Sequence, residues 1–179
     1  MIAVAGNSGI HKFIWYYIRA IFRDNSNIIV VDAANKFDPY LISNICVAMK
    51  ITPYTILENI FIARAFTPFQ MLKLIEKILF FKKTGKNFLF ILLGFTTLLD
   101  DDNISHIHAM KIFRKSLSYL SHISPAIITL NRFDRRGYYK VVEKKSKVFI
   151  EDTSIVKPLH LKKGVNKLWA GQLHLLHTY

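Results

Sequence analysis

The 179-residue sequence contains almost no cysteine. A single cysteine, Cys46, excludes an internal disulfide framework and a zinc site built on cysteine ligands, and it is typical of a reducing compartment. The 51% hydrophobic content argues against a disordered chain and is sufficient for one sizeable core. We therefore expect one domain over residues 1–179 of a cytoplasmic protein, with Cys46 as a small core residue on a helix.

Long apolar runs and an export signal are also missing. The longest apolar run, "FLFILLGFTTLL" at Phe88–Leu99, is shorter than the roughly 20 residues that a membrane-spanning helix needs. A run of this length is typical of a fully buried strand. The segment Met1–Val4 carries no positive region followed by a leader-like apolar stretch. We therefore expect a protein that is not exported and that has no membrane partner.

Acidic residues are scarce. Twelve Asp and Glu stand against 25 Lys and Arg, which gives a net charge of +13. Between Arg132 and Lys167, eleven basic residues face four acids, so this short segment carries more than half of the excess. A concentrated basic segment indicates a polyanionic partner, and nucleic acid is the commonest one. The alternative is that these lysines only keep an apolar domain in solution.

Strand-like and helix-like segments alternate over residues 1–131. Helical spacing, capping residues and buried-strand runs predict the following elements: strands at Ile2–Ala5, Asn27–Asp32, Asn59–Ala63, Phe88–Leu93 and Ala126–Leu130, and helices at Ile10–Phe22, Asp38–Met49, Thr67–Gly85 and Asn103–His122. Strands joined by helices predict an α/β fold with a mainly parallel sheet and helices on its faces.

The pattern changes over residues 132–179. The runs "YYKVV", "KVFIE" and "LHLLH" are short and β-like, and Glu143–Ser146 is a candidate hairpin turn. We expect this basic, β-rich extension to add antiparallel strands at the C-terminal edge of the sheet.

The stretch "VAGNSGIHKF" after the first predicted strand is similar to a phosphate-binding loop. The pattern G-x-x-x-x-G-K-[ST] begins at Gly6, passes through Gly9 and places Lys12 correctly, but His11 replaces the second glycine and Phe13 replaces the hydroxyl residue. His11 brings a ring where the backbone must approach a phosphate, and Phe13 has no oxygen for magnesium. These residues predict a vestigial phosphate loop, in which Lys12 either meets an anion or is an ordinary first-turn lysine.

Three further segments carry a family resemblance. They are "VVDAANKFDPYLISNICVAMKITP" at Val30–Pro53, "ENIFIARAFTPFQMLKLIEK" at Glu58–Lys77 and "AIITLNR" at Ala126–Arg132. In this order they resemble the ATPase core of the RecA/RadA recombinases, especially the archaeal and eukaryotic branch. The resemblance implies a RecA-like three-layer fold with a central, mainly parallel sheet.

The same resemblance implies where the groups for ATP hydrolysis would lie. Ala34 takes the position of the catalytic glutamate, Gly94 that of the magnesium-binding aspartate, and Asn131 that of the polar sensor. Without a carboxylate at position 34, no general base orients the attacking water. We expect an inactive pseudo-ATPase that has neither ATP nor magnesium as a cofactor.

The resemblance also implies a function and a kind of partner. We expect an accessory subunit in DNA recombination or repair, which binds DNA or a RadA-type recombinase or another RecA-fold subunit. With Met1 five residues before Gly6, the chain is expected to accept a neighbouring subunit on its sheet without donating a polymerisation segment. The alternatives are a structural interaction module whose basic face meets an acidic protein, and a regulatory nucleotide binder that uses Lys12.

The basic segment Arg132–Asp152 lies where the family's first DNA-binding loop would leave the sheet. Cations that contact the backbone and rings that stack on bases are the usual components of single-strand binding. The predicted DNA-binding residues are therefore Arg132, Arg135, Arg136, Tyr138, Lys140, Lys144, Lys145 and Lys147. Alternation along "YYKVV" allows one of the two tyrosines to stack, and the alternative is a β-hairpin with a solvated lysine rim.

A run of three acids, Asp100 to Asp102, precedes the fourth predicted helix. Hard cations take oxygen ligands, so a metal site is one interpretation. We favour the other, in which the acids stabilise the positive N-terminal end of that helix.

Overall fold

The structure is a computed structural model that describes residues 1–6, 9–16, 27–131, 134–151 and 160–163. The strands are β1 (Ile2–Gly6), β2 (Ile28–Asp32), β3 (Ile60–Arg64), β4 (Leu89–Leu93), β5 (Ala126–Asn131), β6 (Val148–Glu151) and β7 (His160–Lys163). The helices are α1 (Ile10–Tyr16), α2 (Pro39–Ala48), α3 (Pro53–Leu57), α4 (Pro68–Lys83), α5 (His106–Ser121) and α6 (Tyr138–Lys145).

The strands form one sheet in the order β3-β2-β4-β5-β1-β6-β7. Every pairing among β1 to β6 is parallel, and β7 is antiparallel to β6 at one edge. All five residues of β4 are buried, as expected for a parallel strand covered on both faces. The prediction of an α/β fold with a mainly parallel sheet is confirmed.

Helices cover both faces of this sheet because the chain reverses direction across it. The connections from β1 to β2 and from β2 to β3 run towards one edge, whereas those from β3 through β6 run towards the other. Right-handed crossovers then place the two sets of helices on opposite faces. Ile14 and Cys46 belong to one buried cluster, and Met71 and Phe113 belong to the other. Cys46 is buried on α2, as predicted.

Side-chain caps fix where the predicted helices begin. The Asp38 carboxylate accepts the N–H groups of Tyr40 and Leu41 at 3.0 and 3.1 Å, with Pro39 in the first turn of α2. Thr67 caps α4 in the same way, accepting the Gln70 N–H at 3.2 Å. The helix α5 starts at His106 behind a Ser105 cap, which is three residues later than predicted.

The predicted strand "YYKVV" and the hairpin turn Glu143–Ser146 are wrong, because these residues form α6. The Asp134 carboxylate accepts the N–H groups of Tyr138 and Tyr139 at 2.7 and 2.8 Å and so satisfies the first turn of a helix. Tyr138 and Val142, four residues apart, then bury one helical face. The run "YYKVV" is too short for period two to exclude this helical spacing.

The run "KVFIE" does contain a strand, β6, but the predicted antiparallel direction is wrong. Because α6 makes a crossover connection, β6 returns parallel to β1, with Phe149 paired to Ala3. The antiparallel edge strand is β7, and the predicted run "LHLLH" lies outside the described residues.

Candidate functional site

The predicted phosphate loop lies at the carboxyl ends of the parallel strands. Gly6 ends β1 opposite Asn131 of β5, and Asp32 ends β2 opposite Leu93 of β4. Ligands of open parallel sheets commonly bind at this edge, where neighbouring connections diverge to opposite faces. Residues 7 and 8 and the side chain of Phe13 lie outside the described part of the chain. The packing of the remaining residues determines whether this edge offers a cavity.

His11 turns inward and occupies the edge instead of leaving it open. The imidazole is 7% exposed, and its Nδ1 lies 2.8 Å from the Thr129 hydroxyl on β5. Burial lowers the pKa of His11 from 6.5 to about 4. The negative charge of Asp32 raises this pKa in part, and the positive charge of Lys36 lowers it further. The ring is therefore neutral at pH 7, and it adds no positive charge for a phosphate.

Thr129 joins the ends of two strands to α1. Its hydroxyl oxygen accepts the Gly94 N–H at 2.8 Å, and the same hydroxyl bonds the His11 ring. Its carbonyl accepts the Phe95 N–H, also at 2.8 Å. Because Thr129 is fully buried, these bonds form in a region without water, where leaving a donor unpaired is costly. The link holds the chain after β4 close to β5.

The positions of the two implied catalytic carboxylates pack against each other. Gly94 has a φ of +73°, and a Cβ atom built there would lie 2.5 Å from the Ala34 Cβ and 2.7 Å from the Thr97 hydroxyl oxygen. Real Cβ atoms do not approach other atoms so closely, so the space for a side chain at position 94 is filled. A residue larger than glycine at position 94, the implied magnesium-binding aspartate included, therefore does not fit in this conformation.

Asp32 is buried beside this contact and serves the turn that follows β2. Its carboxylate accepts the N–H groups of Lys36 and Phe37 at 3.0 and 2.9 Å, and that of Ala34 at 3.3 Å. The Arg64 Nε lies 3.8 Å away on the solvent side. These backbone bonds use the acceptor capacity of Asp32 to fix the loop. We assign Asp32 a structural role.

Lys12, which stands at the lysine position of the phosphate-loop pattern, is exposed at the start of α1. Its backbone N–H bonds the Gly9 carbonyl at 3.0 Å, which closes the first turn. Gly9 has open space around it. The structure therefore places Lys12 in solvent, while His11, one residue earlier, is buried.

Two of the predicted DNA-binding arginines bind the acidic run instead of facing solvent freely. The Arg135 guanidinium contacts Asp102 at 3.0 Å and the Asp100 carbonyl at 2.8 Å, and its backbone N–H donates to the Asp100 carboxylate at 3.2 Å. Arg136 donates to the carbonyls of Asp101 and Ile104 at 3.1 and 3.0 Å. The acids were expected to stabilise the N-terminal end of α5, but its first turn contains no acid and Ser105 caps it, while Asp100 and Asp102 contact Arg135 in the turn before α6.

Tyr138 lies in the core, where its ring is 4.4 Å from that of Phe113 between centroids. With no exposed surface it cannot stack on a base in this conformation. The second tyrosine, Tyr139, donates its hydroxyl to the buried Glu151 carboxylate at 2.7 Å. The hypothesis of base stacking on Tyr138 is therefore wrong for this structure, since the helical spacing turns this ring towards α5.

The remaining predicted cations are exposed. Lys140 and Lys144, four residues apart, lie on the solvent side of α6, Lys145 ends the helix and Lys147 precedes β6. No ion pair joins any of the four to another residue in the part of the chain that the structure describes. Arg132 lies outside that part.

Two further cations belong to this surface and were missed from the sequence. Lys111 and Arg114 are exposed on one ridge of α5, three residues apart, and Arg114 lines the same cavity as Lys145 and Lys147. The run "KIFRKSLS" shows that Lys111 and Arg114 share one face of a helix. It does not show that this helix, α5, packs beside α6. We define the basic surface as six of the exposed cations on both helices and in the turn that follows α6: Lys111, Arg114, Lys140, Lys144, Lys145 and Lys147.

Comparisons with known proteins give no assignment: no protein-family model matches the chain, and no curated protein does. None of the helices in the described ranges is long and apolar enough to cross a membrane. The same residues contain no group of three or more His, Cys, Asp or Glu arranged to hold a metal ion. The strand ends and the basic surface are therefore the features from which a function can be inferred.

Proposed function

We propose that this protein is a non-catalytic RecA-like paralogue that binds single-stranded nucleic acid through its basic surface, as an accessory subunit in DNA recombination or repair. The observation that carries the proposal is the set of six exposed cations, five on two adjacent helices and Lys147 in the turn that follows. The RecA-like assignment is supported by the parallel sheet and by the loop residues Gly6 and Lys12 at the carboxyl end of β1.

The contrast between paired and unpaired cations supports a polyanionic partner. Arg135 forms ion pairs with Asp100 and Asp102, so much of its charge is already used, and the Arg136 guanidinium donates to two backbone carbonyls. Lys140 and Lys144 have no such partner among the described residues. Each unpaired cation that meets a phosphate releases a counterion, which gives affinity without sequence preference.

The packing at the strand ends supports a function without ATP hydrolysis. A neutral, buried His11 occupies the phosphate-loop side, and the contact of Gly94 with Ala34 occupies the place of the two missing carboxylates. Hydrolysis requires a positioned water and a stabilised phosphoryl group. With both sides filled, we expect neither ATP binding nor magnesium binding to accompany nucleic-acid binding.

The test is a fluorescence-anisotropy titration of labelled single-stranded DNA at low and moderate salt, with and without ATP and magnesium. We expect binding that weakens with salt and is indifferent to nucleotide. The double variant Lys140→Ala/Lys144→Ala removes two phosphate contacts, so the slope of log affinity against log salt is expected to fall by about 1.4.

The matched control is Lys77→Ala/Lys83→Ala, which removes the same charge from exposed positions of α4. This control is expected to leave the slope almost unchanged. Equal losses in the two double variants would show that only net charge matters, and no binding at low salt would refute the proposal. ATP-dependent binding would favour the regulatory nucleotide binder.

A second candidate function is suggested by the exposed edge strand β3, at the opposite side of the sheet from β7. Phe61 and Ile62 are 55% and 46% exposed although they point to opposite faces, and Phe66 and Phe69 follow at 68% and 58%. Within the described residues β3 pairs with β2 alone. An uncovered apolar edge favours addition of a strand from another chain, here a RecA-fold subunit.

The second candidate is tested by co-sedimentation with a RadA-type recombinase. Phe61→Lys is expected to abolish the complex, because a charge on the edge opposes strand addition. Phe80→Lys, at a position 64% exposed on α4, is the control and is expected to bind normally. If both variants bind like the unsubstituted protein, β3 is not the interface.

A further inference from the structure

A cavity of about 270 Å³ opens at the other end of the sheet from the vestigial phosphate loop. Met1 and Lys147 line it, and they directly precede the paired strands β1 and β6, so it lies at the amino end of the parallel strands. The Lys147 N–H donates to the Met1 carbonyl at 3.1 Å and closes its floor. Arg114, Ser118 and Ser121 line it from α5.

The lining of this cavity is cationic. Arg114, Lys145 and Lys147 all contribute to it, and the described residues around it include no carboxylate. None of these three cations forms an ion pair within the described part of the chain, whereas Arg135 contacts both Asp100 and Asp102. Three positive charges around one cavity repel one another, and a bound anion would relieve that repulsion.

The backbone holds two of these cations in place. Ser146, between Lys145 and Lys147, is buried, and both its N–H and its hydroxyl donate to the Val142 carbonyl, at 2.9 and 2.7 Å. This fixes the turn from α6 into β6, so the lysines on either side project from a defined position. Arg114 projects from the middle of α5, a rigid element.

We propose that this cavity is a binding site for a phosphate group, with Arg114 as its principal ligand. A guanidinium binds two phosphate oxygens at once, and the two lysines supply positive charge without requiring a particular hydrogen-bond geometry. Ser118 and Ser121 line the same wall, and the Ser121 hydroxyl, which already donates to the Ser118 carbonyl at 2.7 Å, keeps only acceptor capacity. The cavity is much larger than the ~30 Å³ of one water molecule, so it has room for a phosphate with part of its ester.

The phosphate belongs either to a free nucleotide or to the end of a nucleic-acid strand, and the two sources are distinguishable. The proposal goes beyond the nucleic-acid function, since that function needs only contacts along a strand. A site for a terminal phosphate would make the protein prefer 5′-phosphorylated over 5′-hydroxyl oligonucleotides of the same sequence. A site for a free nucleotide would bind AMP as well as inorganic phosphate and show no such preference.

The experiment records amide ¹H–¹⁵N spectra of the full chain during titration with sodium phosphate, at an ionic strength held constant with chloride. We expect saturable shifts at Ser118, Ser121 and Lys147. Arg114→Gln is expected to weaken phosphate binding roughly tenfold or more, as loss of a charge-assisted pair of hydrogen bonds does, and Arg114→Lys less. Titrations with AMP and with the two oligonucleotides then identify the source of the phosphate.

Lys140→Gln is the control, because it removes the same charge from the basic surface at a position that does not line the cavity. It is expected to leave phosphate binding unchanged. Unsaturable shifts, or equal losses in Arg114→Gln and Lys140→Gln, would overturn the proposal and would mean that the cations only add general positive charge to this surface. Salt-dependent DNA binding that persists in that case would leave the proposed function intact.

Discussion

The two ends of the parallel sheet differ in how their loops are packed. At the carboxyl end, Gly94 contacts Ala34, and the neutral His11 ring is buried against Thr129. At the amino end, Arg114 and Lys147 surround an open cavity. In open parallel sheets the carboxyl end is the usual place for a ligand. Here the described residues of that end pack against one another, with Lys12 exposed beside them, and the cations of the basic surface lie around the cavity at the other end and on the adjacent helices.

This difference suggests that His11 and Gly94 belong to the packed part of the molecule at this end of the sheet. Buried hydrogen bonds, a buried imidazole and a close backbone contact stabilise the carboxyl end. Substitutions there should change folding stability, whereas substitutions on the basic surface should change binding. The following predictions test this division, beginning with the largest expected effect.

The strongest test of the filled carboxyl end is Gly94→Ala. The added Cβ meets Ala34 and Thr97 at distances that force the loops apart, and φ is +73°. Left-handed strain costs about 1–2 kcal/mol and overpacking a further 1–3, so we expect a loss of about 3–4 kcal/mol in the free energy of unfolding. The measurement is denaturant unfolding.

Gly85→Ala is the matched control, because Gly85 has φ +83° but no atom within 4 Å of an added Cβ. It is expected to lose only the strain component, about 1 kcal/mol. Equal losses in the two variants would show that the contact between Gly94 and Ala34 is loose and that this end has room for a ligand.

The second test uses the pH dependence of stability. The pKa of His11 is lowered from 6.5 to about 4 in the folded protein, so the unfolded chain takes up a proton first as pH falls. The stabilisation by the neutral ring is complete above about pH 6.5 and is lost progressively towards pH 4, up to about 3 kcal/mol. His11→Asn, which does not titrate, is expected to lack this component.

The measurement is the difference between the unfolding free energies of the unsubstituted protein and His11→Asn from pH 7 to pH 4. Other groups, such as Asp134, whose pKa burial raises, titrate in both proteins and largely cancel. A difference that does not change with pH would mean that the His11 ring is solvated and that the edge is open.

The third test removes the hydroxyl group that links β4, β5 and α1. Thr129→Val keeps the shape of the side chain but leaves the Gly94 N–H and the His11 ring without their partner. We expect a loss of about 2 kcal/mol, within the range for a buried unsatisfied donor. Thr84→Val, at an exposed position, is the control and should cost much less. Faster amide exchange at Gly94 would locate the effect.

The parallel core was predictable because its signals are local. Buried runs such as Phe88–Leu93 and capping pairs such as Thr67-Pro68 need only their own neighbourhood to be recognised. The helix α6 was not predictable in this way. Its first turn depends on the Asp134 cap, and its apolar face depends on Phe113 of α5, which no local pattern reveals.

The candidate site was also predictable only where the signal is local in the sequence. The sequence identified His11 as a departure from the phosphate-loop pattern and Gly94 as a departure at the magnesium-binding position that the resemblance implies. It did not show that His11 bonds Thr129 or that Gly94 meets Ala34, because these partners are distant along the chain. The charge count identified a basic segment without separating paired from unpaired residues. That Arg135 is paired and Lys145 is not follows only from the position of Asp100 and Asp102 in the fold.

The smallest effect is expected for Arg135→Ala, compared with Lys145→Ala. Both variants lose one positive charge, but Arg135 already contacts Asp100 and Asp102 and so has little charge to offer a phosphate, and its removal should reduce DNA affinity only slightly. As an exposed ion pair, it should contribute less than about 1 kcal/mol to folding stability. Lys145→Ala should lower DNA affinity and its salt slope more, by about 0.7 for one phosphate contact. The reverse ranking would show that nucleic acid displaces the aspartates from Arg135, and it would move the interface from the amino end towards the turn before α6.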